Sequence, residues 1–486
     1  MNKRMIAYVL GLLLLCEAGL LLLPLSVGFI FSESVAASFV ITIAVLIAVG
    51  LILVRFKPKD KTIFARDGLV IVSLGWIFLS LFGALPFFIS GEIPNYLDAL
   101  FETVSGFTTT GASILTDVEA LSKSMLFWRS FTHWIGGMGV LVFIMAVLPL
   151  AGGGGDLHLM RAESPGPSVT KLVPRSNKTA RILYGIYLAM TVVEMVLLII
   201  GGMPLFDSIT IAFGTAGTGG FCILNTSVAS YPLFCQIVIT VFMALFGINF
   251  NIYFLLLFKK FKDALKSTEL WCYLGIMATA IITITINIRH CFDSIFEALH
   301  HASFQVSSVM TTTGFSTADF DKWPELSKTI LLMIMCIGAC AGSTGGGFKV
   351  SRIILLFKYA KKSVRSLTHP RSVKIITFDG QRVTNETFQS TIAYFIIYVF
   401  IFAGSLLIVS ADKNDFVTDF SSIVATFNNI GPGLGKIGPT GNFSSYNSLS
   451  EIVFIIDMLL GRLEIFPIIC LLTPSIHNRK RFRKKL

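Results

Sequence analysis

Four short phrases in this 486-residue chain share one chemical pattern. They run from Asp98 to Gly111, Asp207 to Gly219, Glu297 to Gly314 and Asp419 to Gly431, spaced by roughly a hundred residues, as an internal repeat would be. Each opens on an acidic residue, continues through a stretch that suits a half-length helix, and closes on Thr, Asn and Gly. An acid near a helix start complements its positive end, so the partial negative end would descend toward the close of the phrase and favour a cation there. The closing residues are Thr109, Thr110 and Gly111; Gly217, Thr218 and Gly219; Thr312, Thr313 and Gly314; and Asn429, Ile430 and Gly431. Their backbone carbonyls can replace a cation's hydration shell, and glycine permits the turn that aims them. One such phrase alone is an ordinary capped loop. Four of them, each between two long apolar segments, would surround one axis. The second and fourth lack the Thr-Thr-Thr-Gly of the first and third, so any fourfold symmetry is expected to be approximate.

The elements that must hold these phrases are apolar. The chain is 54% hydrophobic and only 14% charged, which excludes an ordinary soluble domain. Long apolar segments fall at 5–31, 36–55, 68–90, 125–150, 180–202, 233–258, 269–288, 327–356, 388–410 and 450–473, each near the ~20 residues that span a bilayer as a helix. The expectation is therefore an all-α integral membrane protein with ten transmembrane helices. The first segment lacks a small-residue cleavage site and is read as retained. Lys and Arg concentrate at the N-terminus and in 55–66, 151–181, 259–266, 349–382 and 479–485, which places both termini in the cytoplasm. The alternate segments are acidic and would gather cations at an outer mouth. The net charge of +11 is thus a topological signal carried by short loops, and nucleic acid is not an expected partner. The eight cysteines show no metal-ligand spacing and read as packing residues.

Two features break the helical pattern. The run Gly338-Ala-Cys-Ala-Gly-Ser-Thr-Gly-Gly-Gly347 would interrupt the eighth segment, since each glycine costs ~1 kcal/mol in a helix relative to alanine. It is not a phosphate-binding loop, because the Gly-Lys-Ser/Thr ending is absent; close helix packing is its plainer reading. Arg462 lies inside the last segment, where a charge needs water or a partner; it is expected to face a pore, against a structural pair with Asp457 or Glu464. Arg129 is expected to snorkel to the interface, and His133 to be a packed hydrogen-bonding residue without a role of its own. The loops 152–178 and 357–386 are candidate docking surfaces.

The series Thr-Thr-Thr-Gly-Ala112, Thr-Gly-Gly-Phe221, Thr-Thr-Thr-Gly-Phe315 and Asn-Asn-Ile-Gly-Pro-Gly-Leu-Gly435 resembles the Trk/Ktr/HKT superfamily of potassium transporters. The two extra N-terminal segments resemble its TrkH/TrkG branch. The resemblance implies two N-terminal helices (1–60) followed by four pseudo-symmetric helix, pore-loop, helix repeats around one central pore, at 61–160, 161–265, 266–365 and 366–486. It carries the filter glycines over to Gly111, Gly219, Gly314 and Gly431, with K+ bound by the filter residues. It makes Gly342, Ser343, Thr344, Gly345, Gly346 and Gly347, with Arg462, a gate beneath the filter. It further implies potassium uptake without a covalently bound cofactor and without chemical catalysis. The expected setting is the bacterial cytoplasmic (inner) membrane, as a homodimer in lipid with a cytosolic nucleotide-binding subunit of the TrkA type. A sodium-permeable member of the same superfamily is the nearest alternative. A lipid-modifying enzyme would need a His, Asp and Glu cluster at the membrane face. A transporter of inverted repeats would present its phrases on opposite sides.

Overall fold

The computed structural model describes residues 2–58, 64–139, 177–369 and 375–472. The regular elements among these residues are helices, apart from one two-stranded antiparallel hairpin, Thr377–Phe378 with Gln381–Arg382. Among the described residues, six helical segments are long and apolar enough to cross a membrane: Lys3–Ile30, Ala36–Val54, Arg66–Ser90, Ala180–Ile200, Thr268–Ile288 and Asn385–Val409. Their outer faces are apolar and uncovered, with Phe400 and Leu407 exposed at 74% and 78%, which water would not tolerate on that scale. Lys3–Leu20 and Ala36–Val54 pack backbone to backbone at Gly11 and Gly50, where a methyl group on Gly11 would lie 2.8 Å from the Gly50 carbonyl oxygen.

The other expected spans are not single rods. Leu233–Phe246 and Phe250–Leu257 meet at a 90° bend, where Asn249 leaves the helix and caps the next one through the N–H of Asn251 at 2.9 Å. The expected eighth span is broken as its glycines require, into Glu325–Ile337 and Val350–Thr368. The second piece runs on through 357–368, which the sequence had suggested as loop; Lys, Arg, Ala and Leu there are strong helix formers. The last span is also broken: Ser448–Leu463 ends at Glu464 and Ile465, both left-handed at φ 61° and 59°, before Phe466–Leu472. Lys123–Gly137 is described only through Gly139. The glycines 152–155, the loop through 176 and the basic tail 473–486 lie outside the described residues.

Between these long elements sit four short helices, Tyr96–Phe107, Leu205–Gly217, Ile295–Met310 and Phe416–Phe427. At 1.5 Å per residue they reach about 18–24 Å, too short to span a bilayer. Asp98, Asp207, Glu297 and Asp419 lie in their first turns, as the sequence predicted. The caps themselves differ. Asn95, Ser294 and Asp415 accept N–H groups from Leu97, Glu297 and Thr418, whereas Pro204 starts the second helix. The Thr418 hydroxyl and N–H hold the Asp415 carboxyl below its usual pKa.

Candidate functional site

All four short helices unwind in the same way. One residue past the C-cap of the first, third and fourth, and at the C-cap of the second, the chain turns left-handed: Thr109 at φ 55°, Thr218 at 53°, Thr312 at 59° and Asn429 at 56°. Left-handed Thr is rare, because its branched side chain crowds the backbone. Two residues later comes a glycine with positive φ: Gly111 at 78°, Gly220 at 78°, Gly314 at 92° and Gly431 at 94°. Between them the N–H groups of Thr110, Gly219, Thr313 and Ile430 turn back into their own helices, donating to Ser105, Gly214, Ser308 and Ala425 at 2.8–2.9 Å.

These bonds correct the register of the second phrase. Gly219 matches Thr110, Thr313 and Ile430, so the partner of Gly111, Gly314 and Gly431 is Gly220, and Gly217 matches Thr108. Thr-Gly-Gly offers two glycines, and only the backbone dihedrals distinguish them.

The four segments also close on one another. A methyl group on Gly111 would strike the Gly219 carbonyl oxygen; on Gly220, that of Thr313; on Gly314, that of Ile430; and on Gly431, that of Thr110. Each glycine lies against the carbonyl of the next segment, and the fourth returns to the first. Gly111, Gly220, Gly314 and Gly431 together line a cavity of about 140 Å³ on one side of this cycle.

The side chains behind the cycle differ by segment. In the first and third, Thr108 and Thr110, and Thr311 and Thr313, pair their hydroxyls at 2.8 Å. In the fourth, the Asn429 amide donates to Thr110 Oγ1 and to the Met458 carbonyl, both at 2.9 Å. Behind the second stands His133, fully buried. Its Nδ1 bonds the Gly106 carbonyl at 2.7 Å, and its Nε2 accepts the Phe221 N–H at 3.2 Å, which defines a neutral Nδ1–H tautomer. Side chains at Gly217 and Gly219 would collide with it. Packing and hydrogen bonding were expected of His133, but its support of a candidate segment was not. Arg129 does not snorkel. It is 3% exposed, ion-paired with Glu102, bonded to the Cys222 carbonyl at 2.8 Å and placed 3.6 Å over the Phe221 ring. Glu102 in turn accepts the Ser113 hydroxyl and the Ile114 N–H, tying down the chain just past Gly111.

On the other side of the cycle lies the interrupted helix. The Gly346 N–H donates to Thr312 Oγ1 at 2.6 Å, and a methyl group on Gly345 would lie 2.8 Å from the Thr311 carbonyl oxygen. The Gly342 carbonyl accepts the Phe250 N–H at 3.0 Å, and the Ser343 hydroxyl donates to the Cys340 carbonyl. Gly347, at φ 78°, touches Gly338 across the base of the loop. Arg462 reaches in from Ser448–Leu463, donating to the Thr344 carbonyl through Nη1 and to the Gly137 carbonyl through Nη2, each at 2.8 Å. Glu464, its suggested structural partner, pairs with the buried Arg352 at 2.8 Å, and Asp457 accepts from Ser405 at 2.9 Å. Lys349 is a second cation here; 3% exposed, it folds back to the Gly345 carbonyl. Among the described residues no cluster of His, Cys, Asp and Glu could hold a metal ion, so the donors on offer are carbonyl, hydroxyl and amide oxygens.

A family model described as TrkH, cation transport protein, matches residues 35–481. The chain belongs to the TrkH family. Among its relatives, the Trk system potassium uptake protein TrkH of Salmonella typhimurium is 37% identical, with 98% of this chain and 99% of that protein covered. The Trk system potassium uptake protein TrkG of Escherichia coli is 33% identical over 97% of this chain and 98% of its own length. The crystal structure of the potassium transporter TrkH from Vibrio parahaemolyticus superimposes with a TM-score of 0.87 at 33% identity, covering 98% of this chain and all of that one. For this TrkH-family chain, no sequence signal marked the register of the second segment, the Arg129–Glu102 pair or the role of His133. The glycine run at 338–347 and the charge at Arg462 were both visible in advance.

Proposed function

We propose that this chain carries potassium inward across a bacterial cytoplasmic membrane, passively, through a filter made by its four turn segments. The observation that carries the reading is the closed cycle of glycine and carbonyl contacts. Four similar strands of backbone around one axis, each at the negative end of a short helix, present carbonyl oxygens to a dehydrated cation. The filter residues are Thr109 to Gly111, Thr218 to Gly220, Thr312 to Gly314 and Asn429 to Gly431, and the cavity beyond the glycines is the outer mouth. The names of the relatives support potassium as the ion.

On the same reading, the chain has ten spans with both termini cytoplasmic: an N-terminal pair, then four repeats at 61–160, 161–265, 266–365 and 366–486. The bent and broken helices are spans interrupted where they line the pore, the setting in which irregular backbone is tolerated at membrane depth. The 338–349 loop and Arg462 obstruct the inner side of the filter. A guanidinium held against loop carbonyls puts a positive charge on the path of a cation, and a cytosolic nucleotide-binding subunit and a second copy of the chain are the partners that fit a regulated uptake system.

Complementation of a potassium-uptake-deficient bacterium at low potassium tests the activity, with rubidium against sodium uptake reading the ion. Growth with rubidium favoured is the expected result. Sodium uptake equal to rubidium would replace the reading with a sodium-permeable pore, and no uptake of either ion would overturn it.

A further inference from the structure

Glu269 is a buried carboxylate, 2% exposed, in the first turn of Thr268–Ile288. Its Oε1 accepts two backbone N–H groups. One is that of Ala341, inside the loop, at 2.7 Å; the other is that of Ser351, in the first turn after the loop, at 3.1 Å. A single oxygen therefore holds the loop on both sides of Gly345, Gly346 and Gly347. Both donors meet it in a buried site, where a hydrogen bond is electrostatically stronger than in water. The loop needs such anchors, because glycine-rich backbone loses the most freedom on ordering. It also carries strain. Lys349, a non-glycine residue, sits at φ 83° where the following helix begins.

The same helix start is held from its far side. At the tip of the hairpin, Asp379 Oδ1 accepts the Thr268 N–H at 2.7 Å. The hairpin is in turn bound to the helix after the loop. Phe378 is fully buried in a cluster with Leu355, Val383 and Phe388, and Lys358 Nζ donates to the Thr377 carbonyl at 2.8 Å. Hairpin, loop and the helix beyond it thus converge on two consecutive residues, Thr268 and Glu269.

We propose that Glu269 is a positioning residue that sets the obstructing position of the 338–349 loop, and that the hairpin 377–382 is the lever through which movement at the exposed end of Val350–Thr368, where Lys361 and Arg365 lie, reaches it. The inference rests on the reading of that loop as an obstruction. A partner pulling on the hairpin would loosen the Thr268 cap, shift the Glu269 carboxylate and release Ala341 and Ser351 together.

Rubidium flux through the full chain in proteoliposomes tests this, with a deletion within 339–346 as the reference. Glu269→Ala should raise flux about tenfold, the change that loss of one or two ordinary hydrogen bonds brings to a two-state equilibrium. Glu269→Gln keeps a carbonyl oxygen for both donors and should raise it less. Asp379→Ala, at the surface, should raise it a few-fold, and the preference for rubidium over sodium should hold in all three. If the deletion raises flux while Glu269→Ala and Asp379→Ala do not, the role of Glu269 is overturned and the obstructing loop stands. If the deletion has no effect, both fall. A rise that abolishes ion preference would point to a damaged filter and also overturn the inference.

Discussion

The first and third turn segments, set beside the second and fourth, show two ways of building one backbone shape. In the first and third, three threonines supply their own scaffold, and paired hydroxyls at 2.8 Å brace the turn from within. The second has no such side chains at Gly217 and Gly219, and His133 from Lys123–Gly137 fills the space and bonds the chain at Gly106 and Phe221. The fourth borrows its brace from the first, through the Asn429 amide and Thr110. Equal dihedrals therefore arise from unequal chemistry. What is common to all four is the left-handed residue and the glycine two places on.

That comparison is broken most severely at the glycines. Gly220→Ser should abolish potassium uptake as fully as Gly314→Ser, a loss of at least tenfold, since each side chain would meet a neighbouring carbonyl at a φ that costs about 1–2 kcal/mol outside glycine. Rubidium uptake measures both. A mild Gly220 variant would return the equivalence to Gly219. Next comes the support of the second segment. His133→Ala should leave the buried Phe221 N–H unsatisfied, at about 1–3 kcal/mol, lowering thermal stability and selectivity together. If the imidazole is what excludes a side chain, Gly219→Ala should be less harmful in the His133→Ala background than alone, and additive losses would refute the steric account.

A smaller effect is expected where the brace is shared. Asn429→Leu removes one donor from Thr110 and one from Met458 while leaving the backbone turn in place. Selectivity should fall by several-fold with expression retained, as ion competition would show. The smallest effect belongs to the cap of the fourth short helix. Asp415→Ala should cost about 1 kcal/mol of thermal stability and leave selectivity unaltered. Because Thr418 holds the Asp415 carboxyl below its usual pKa, this contribution is complete above the ordinary carboxylate pKa and is lost as pH falls through the lowered one.

Much of the frame was legible in the linear chain. Apolar length announced the long helices, the acidic starts announced the short ones, and the glycine run announced the break after Ile337. The 90° bend at Asn249 was not legible, since the single Gly247 before it does not demand one; the left-handed pair at Glu464 and Ile465 did have a local signal, Pro467 at the start of the following helix, but the apolar run on both sides hid it. Arg129 was misread for a related reason. An arginine in an apolar segment snorkels unless a carboxylate meets it, and Glu102 lies on a different helix, 27 residues away.

Composition, period and the repeated acid-to-glycine phrases were enough to determine a helical membrane chain with four comparable turn segments, because these are local properties of spacing and solvation. Register within Thr-Gly-Gly, the imidazole that stands in for missing threonines, and the anchoring of the 338–349 loop at Glu269 were decided only in three dimensions. Each depends on which groups meet across distant segments. A side chain's worth at such a place is set by the carbonyl, the ring or the charge that occupies the space beside it.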